Sequence, residues 1–152
     1  MGGGIAEVCA RAGVDVVVFD TSEDVVEAGR DRIVKSLDRG VSNGKISAAE
    51  HRDAVGRLRF TTELSDMADR DLVIEAVIED EKVKAAIFAD LDRVVSADAV
   101  LASNTSSYDI NELAAGITGP GRILGTHWFH PPQITPCVEV IPADRTLPAC
   151  VD

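Results

Sequence analysis

Short runs rich in β-branched residues recur along this chain, each separated from the next by a stretch with helical periodicity. No other feature narrows the possible folds as far. Val14 to Asp20 reads VDVVVFD and Leu72 to Val77 reads LVIEAV. With so little polar alternation, such runs suit strands covered on both faces. Before the first run, Ile5, Val8, Cys9 and Ala12 fall at i, i+3, i+4 and i+7, the stripe of an amphipathic helix. Gly13 then stands where a left-handed terminal residue is wanted. After it, Ser22 is a candidate N-cap for a helix carrying Val26, Ile33, Val34 and Leu37 on one side and ending near Gly40. Ser42-Asn43-Gly44 reads as a turn, and Ser47 with Glu50 as a capping box opening a helix to about Leu58. A weak strand over Arg59–Thr62 precedes the strong one at 72–77. The pattern then predicts a helix over Lys82–Val95 with Val83, Ile87 and Leu91 inward, a strand over Ala99–Ala102, and a helix over Ile110–Ile117 stopped by Gly119-Pro120. Strands over Ile123–Phe129 and Cys137–Ile141 close the series.

Strands joined by helices of this length require crossover connections, hence an α/β fold with a mostly parallel sheet covered on both faces. At 152 residues the chain is one domain's worth. Its 26 acidic against 15 basic residues give a net charge of −11 without a basic cluster, which argues against nucleic acid or an anionic membrane as partner. Three scattered cysteines, Cys9, Cys137 and Cys150, form no Cys-x-x-Cys pair, so neither a disulfide framework nor a metal site is expected. Cys137 reads as a packing residue. No segment reads as a signal peptide or a membrane span, and a cytoplasmic location is the expectation.

The opening Met1-Gly2-Gly3-Gly4 is unusual before a helix. A dinucleotide-binding fold begins with a strand, then Gly-x-Gly-x-x-Gly entering a helix, then a second strand ending in an acidic residue about 20 positions on. Asp20 closes a strand eighteen positions after Gly2, which puts Gly2 in the place of the third glycine. The expectation is therefore a Rossmann-type doubly wound sheet lacking its first strand, which would lie ahead of Met1. Gly2 and Gly4 would face a pyrophosphate and Asp20 a ribose. The alternative reading of Asp20, less favoured, is an ordinary turn or helix N′ residue, as strand-terminal Asp often is. A ribose-binding carboxylate repels a 2′-phosphate, and Thr21-Ser22 offers no arginine, so NAD is favoured over NADP. In the order 3-2-1-4-5-6, the strands at 14–20 and 72–77 would flank the missing one and face each other across a gap.

The other candidate site lies in the second half. His127 ends an apolar run, Glu139 follows twelve positions later in another, and Ser103-Asn104-Thr105-Ser106-Ser107 lies upstream. Imidazole accepts a proton near neutral pH, and a carboxylate on its other nitrogen fixes the tautomer. A lone histidine is as well explained as a satisfied core residue. Glu139 among Val138, Val140 and Ile141 would be costly to bury unpaired, so a partner is expected for it. The Pro131-Pro132 turn and Thr135-Pro136 let the chain double back, placing the two on neighbouring antiparallel strands. His51, in a polar helix, reads as a surface residue.

With these motifs in this order the chain resembles the nucleotide-binding domain of the L-3-hydroxyacyl-CoA dehydrogenases, including the 3-hydroxybutyryl-CoA enzymes. The resemblance rests on Gly2-Gly3-Gly4-Ile5-Ala6, Asp20, Ile74 to Glu79, Lys82-Val83-Lys84, Ala102 to Ser107, Gly125 to Phe129 and Val138 to Ile141. It implies NAD-dependent oxidation of an L-3-hydroxyacyl-CoA, or the reverse, in fatty-acid β-oxidation or butanoate metabolism. It further implies His127 as catalytic acid/base, Glu139 as its partner, and Ser106 as a donor to the substrate oxygen. Glu79, Lys84, Asn104 and the residue at 130 would lie along the cofactor, and Ser36, Ser106 and Lys45 near the CoA. The family usually has Asn where this chain has His130. It also carries a second, helical domain that supplies dimer contacts, and this chain ends about where that domain would begin. Alternatives left open are a dehydrogenase of a free hydroxy acid such as gulonate, and an inactive nucleotide-binding product.

Overall fold

Helix α1 (Gly2–Arg11) starts directly on the three glycines, with Met1 as an N-cap that supplies no side-chain acceptor. It buries Ile5, Ala6 and Ala10, so its inward face is rotated from the expected stripe: Val8 and Cys9 are only half-buried and Ala12 is exposed. Gly13 ends it at φ +90°, a backbone state that a side chain would oppose. The computed structural model describes residues 1–152. The chain divides into two units, one of Met1, residues 3–66 and residues 130–135, the other of Gly2, residues 67–129 and residues 136–152.

In the first unit β1 (Val16–Phe19) pairs in parallel with β2 (Leu58–Thr61), Val16 opposite Leu58 and Phe19 opposite Thr61. Two helices connect them. The Ser22 hydroxyl accepts from the Val25 amide at the start of α2 (Glu23–Ser42), and α3 (Ala48–Gly56) opens on the reciprocal Ser47–Glu50 capping box. Helix α2 runs past Gly40 to Ser42, and the chain then turns at Gly44 with φ +66°. Ala6, Ala10, Ile33, Leu37, Ile46 and Ala54 form the core, with Val16, Val18, Leu58 and Phe60 packed against it. β1 is half-buried rather than buried on both faces, and Val14 lies outside it, exposed. Gly4 is held close to Pro132: a Cβ there would lie 2.6 Å from the proline Cγ. His51 is not a free surface residue. Only 21% of its side chain is exposed, and its Nε2 lies 3.0 Å from Asp38 Oδ1.

In the second unit β3 (Leu72–Glu75), β4 (Val100–Ser103) and β5 (Ile123–Trp128) run parallel, and β6 (Val138–Pro142) joins β5 antiparallel. Helix α4 (Glu81–Val94) crosses from β3 to β4, and the short α5 (Ile110–Ala114) precedes β5. The inward stripe of α4 is Lys84, Phe88 and Leu91, one residue out of phase with the expected Val83, Ile87 and Leu91; Val83 is exposed. A buried Arg122 fastens the end of α4 to the start of β5. Its guanidinium donates to the carbonyls of Ser96 and Ala99 and to Asp92. Burial pushes the Asp92 carboxyl up, but the Thr118 amide and hydroxyl and the Arg122 guanidinium outweigh it and leave the group below its ordinary value.

The α/β class with parallel pairing agrees with the sequence pattern. The strands form two sheets, β1-β2 and β3-β4-β5-β6. β1 and β3, the two expected to flank a common neighbour, have one strand neighbour each. No helix is long and apolar enough to cross a membrane. Leu101 on β4 is fully buried, and its truncation leaves a cavity the parallel ladders on both sides cannot easily close. Leu101→Ala should therefore cost about 2–5 kcal/mol, read as a lower denaturant midpoint at unchanged slope.

Candidate active site

Strand β5 holds the centre of the site in the second unit. His127 lies directly opposite Glu139 in the antiparallel β5–β6 ladder, so their side chains share one face, and His127 Nδ1 lies 2.8 Å from Glu139 Oε2. Assigning the proton to Nδ1 makes Nδ1–H the donor and leaves Nε2 as the basic nitrogen, which has no hydrogen-bond partner. The Phe129 ring, two residues on, flanks the imidazole with centroids 5.0 Å apart. The expected pairing on antiparallel neighbours holds, but the expected burial of Glu139 does not. Every residue of β6 is exposed, and 56% of the Glu139 side chain is in contact with solvent, so the carboxylate is not buried among its apolar neighbours. Cys137 is exposed too, not a packing residue.

The hydroxyl-rich segment follows β4 and is held from two sides. Asn104 donates its amide N–H to the Glu75 carbonyl and accepts the Trp128 N–H on Oδ1 at 3.0 Å, which ties the segment to the residue after His127. Beneath it lie two carboxylates. Glu75, buried at the end of β3, accepts the Ser103 hydroxyl at 2.6 Å and the Val77 amide at 2.7 Å. Glu79 accepts the Thr105 hydroxyl, the Ser106 amide at 3.2 Å and the Ser107 hydroxyl at 3.0 Å, all on one oxygen. Lys84 Nζ joins them, 2.9 Å from Glu75 and 3.1 Å from Glu79, with 1% of its side chain exposed. The Ser106 hydroxyl takes no part in this web and is exposed.

Burial pushes the Glu79 carboxyl up, yet the Thr105, Lys84 and Ser107 hydrogen bonds and the ammonium charge together lower it to about 2. It is ionised throughout the physiological range, with Oε1 accepting from three donors of the loop and Oε2 beside the Lys84 ammonium.

The remaining expected residues belong to the first unit, Gly2 apart. Asp20 stands exposed after β1, with one oxygen capping its neighbour's amide (Thr21 N, 2.8 Å) and the other unengaged. Gly2 and Gly4 lie in the first turn of α1, which has neither a side-chain cap nor an acidic residue. An uncapped helix start with bare glycines fits an anionic group: the Gly4 and Ile5 amides are spent on the Met1 carbonyl, but those of Gly2 and Gly3 have no partner, and the helix dipole favours negative charge. Ser36 is half-buried on α2, and Lys45 is exposed after the Gly44 turn. His130 Nδ1 lies 3.3 Å from Met1 Sδ. The carboxylate support from Glu75, and the scaffolding roles of Ser103, Thr105 and Ser107, were not foreseen. The available signal was a lone acidic residue inside an apolar run, nine positions before a lysine in helical phase with Phe88 and Leu91.

A parallel α/β scaffold carrying a histidine–carboxylate pair and an uncapped glycine turn belongs to the nucleotide-dependent oxidoreductases, and comparison with known proteins narrows this further. The family model for the 3-hydroxyacyl-CoA dehydrogenase NAD binding domain matches residues 1–152, and the chain belongs to that family. It is 58% identical over 148 residues to a 3-hydroxybutyryl-CoA dehydrogenase of Mycobacterium tuberculosis, covering 97% of this chain and 51% of that protein. A probable 3-hydroxybutyryl-CoA dehydrogenase of Deinococcus radiodurans is 41% identical over 146 residues, 96% of this chain and 52% of its own length. Among solved structures, M. tuberculosis FadB2 superposes with a TM-score of 0.97 at 56% identity, covering 99% of this chain and 53% of that one. An Escherichia coli 3-hydroxybutyryl-CoA dehydrogenase gives 0.97 at 38% identity, with 99% and 32% covered. The chain thus spans about half the length of the curated 3-hydroxybutyryl-CoA relatives it matches.

The lowered carboxyl at Glu79 makes a linkage prediction. A folded-state value near 2 against about 4.3 unfolded contributes stability that is fully present above the unfolded value and is lost as the pH falls through about 2. Thermal midpoints of the parent and of Glu79→Gln should differ most above about pH 5 and converge toward pH 2.

Proposed function

We propose that the chain supplies the cofactor-binding and proton-transfer half of an NAD-dependent L-3-hydroxyacyl-CoA dehydrogenase acting on short acyl thioesters such as 3-hydroxybutyryl-CoA. The observation that carries this reading is the His127–Glu139 pair, held in strand register with Nε2 unengaged. The names of the relatives support a CoA thioester over a free hydroxy acid as substrate.

Bound NAD supplies a two-electron acceptor for the hydride on C3. The residues of this chain do the rest. His127 Nε2 accepts the C3 hydroxyl proton, without which loss of hydride would leave a high-energy cation. Glu139, holding Nδ1–H, keeps the ring oriented and favours the imidazolium that forms. The free Ser106 hydroxyl donates to the substrate oxygen, and the web beneath it restricts where that hydroxyl stands. In the reverse direction the protonated ring returns its proton to the carbonyl oxygen. Asp20 would hold the ribose hydroxyls, and the start of α1 with Gly2 and Gly4 would hold the pyrophosphate. Glu79, Lys84, Asn104 and His130 stand at family cofactor positions, and Ser36 and Lys45 at family CoA positions.

Two outcomes are expected. In a chimera that joins this chain to the parts of the M. tuberculosis relative outside the match, His127→Ala should lower kcat for 3-hydroxybutyryl-CoA oxidation by roughly 10²–10⁴. A rate equal to the parent's contradicts the assignment. By calorimetric titration, NAD should bind more tightly than NADP, and Asp20→Ala should narrow the difference; equal affinities in the parent remove the role given to Asp20.

A further inference from the structure

We propose that Lys84, whatever it adds at its family cofactor position, is a positioning residue: held beneath the loop, it fixes Glu79 under the Ser103–Tyr108 segment and so places the Ser106 hydroxyl. Its setting carries the inference. An ammonium group with 1% of its side chain exposed is shielded from solvent, and it lies within 3.1 Å of both carboxylates. An unpaired charge in such a place is costly, so the lysine and the two carboxylates constrain one another's positions. Glu79 needs that constraint, because 42% of its side chain is exposed and it reaches the loop from a segment between β3 and α4. It is also the one group that three successive loop residues share: the Thr105 hydroxyl, the Ser106 amide and the Ser107 hydroxyl all donate to its Oε1.

Glu75 holds the near end of the same loop through the Ser103 hydroxyl, whose oxygen in turn accepts the Thr105 amide at 3.2 Å. The Thr105 hydroxyl oxygen, fixed on Glu79, accepts the amides of Ser107 and Tyr108. One ammonium therefore fixes both ends of a loop in which the Ser106 hydroxyl is left uncommitted. This deepens the dehydrogenase reading and rests on it for the role of Ser106; the positional claim itself is tested without any nucleotide or thioester.

The test is amide hydrogen exchange on this chain, resolved by NMR. Lys84→Met alone strands two carboxylates, so the variant used is Lys84→Met with Glu75→Gln, a neutral replacement of similar volume that keeps an acceptor for the Ser103 hydroxyl. Exchange at Ser106, Ser107 and Tyr108 should accelerate about tenfold or more, the share of a charged hydrogen bond, while Leu101 and Leu124 keep their protection. Thr105→Val, which cuts the loop side of the same connection, should accelerate the same amides. Combined with the double variant it should add less than the sum of the two effects, because both act through Glu79. Rescue by Glu75→Gln with Lys84→Arg, restoring a cation, should return exchange toward the parent rate. Unchanged loop exchange in the Lys84→Met pair, loss of protection throughout β4 and β5, or fully additive effects with Thr105→Val each overturn the proposal. Failure of NAD binding or of turnover with the loop response intact overturns the dehydrogenase reading alone.

Discussion

Strand β5 takes part in two ladders of opposite sense, and the chemistry of the site depends on that. On one side it runs parallel to β4, so both strands deliver their C-terminal ends, Ser103 and Trp128, to the same edge of the sheet. On the other it is antiparallel to β6, which sets Glu139 directly across from His127. A one-residue slip in the second ladder would turn Glu139 to the opposite face. A loss of the first would separate Asn104 from the Trp128 amide it accepts. The imidazole and the hydroxyl loop are thus placed by backbone register before any side-chain interaction is considered.

The side chains then divide two tasks. His127 and Glu139 are at least a quarter exposed, and their pair leaves one ring nitrogen open. Glu75 and Lys84 are buried and fully engaged, with Glu79 carrying their hold out to the loop. An exposed pair can meet a ligand and change protonation at modest cost, whereas a buried ion pair resists both. With the exposed pair on β5 and β6 and the fixing charges buried beneath the loop, the two demands do not conflict.

Much of this was legible in the sequence where the signal is local. Ser22, and Ser47 with Glu50, cap the helices they were expected to cap, and Gly13 adopts the backbone state its position suggested. What was misread depended on packing. The apolar run at 138–141 reads as buried, but a sequence does not say which elements cover a strand, and β6 lies exposed at the sheet's edge. The phase of α4 was missed by one residue because Lys84 counts as polar in any hydrophobic pattern, yet it shares the inward stripe with Phe88 and Leu91. Asp80, not an adjacent acidic residue, caps that helix, and nothing in Glu79-Asp80-Glu81 distinguishes it. The His127–Glu139 pairing was anticipated from the turn between the two runs and from the family resemblance. The support under the loop was not, because it joins residues up to 28 positions apart through a lysine that a hydrophobic pattern assigns to the solvent face.

The central claim is that Glu139 fixes the His127 ring with its proton on Nδ1 and leaves Nε2 as the base. Long-range 1H–15N correlation spectra of the neutral imidazole in the unliganded chain test it directly. The account predicts that the neutral ring carries its proton on Nδ1, with Nε2 giving the shift of an unprotonated nitrogen, and that Glu139→Ala shifts the population toward the other tautomer. A neutral ring protonated on Nε2 in the parent, or a tautomer distribution indifferent to Glu139, would contradict it.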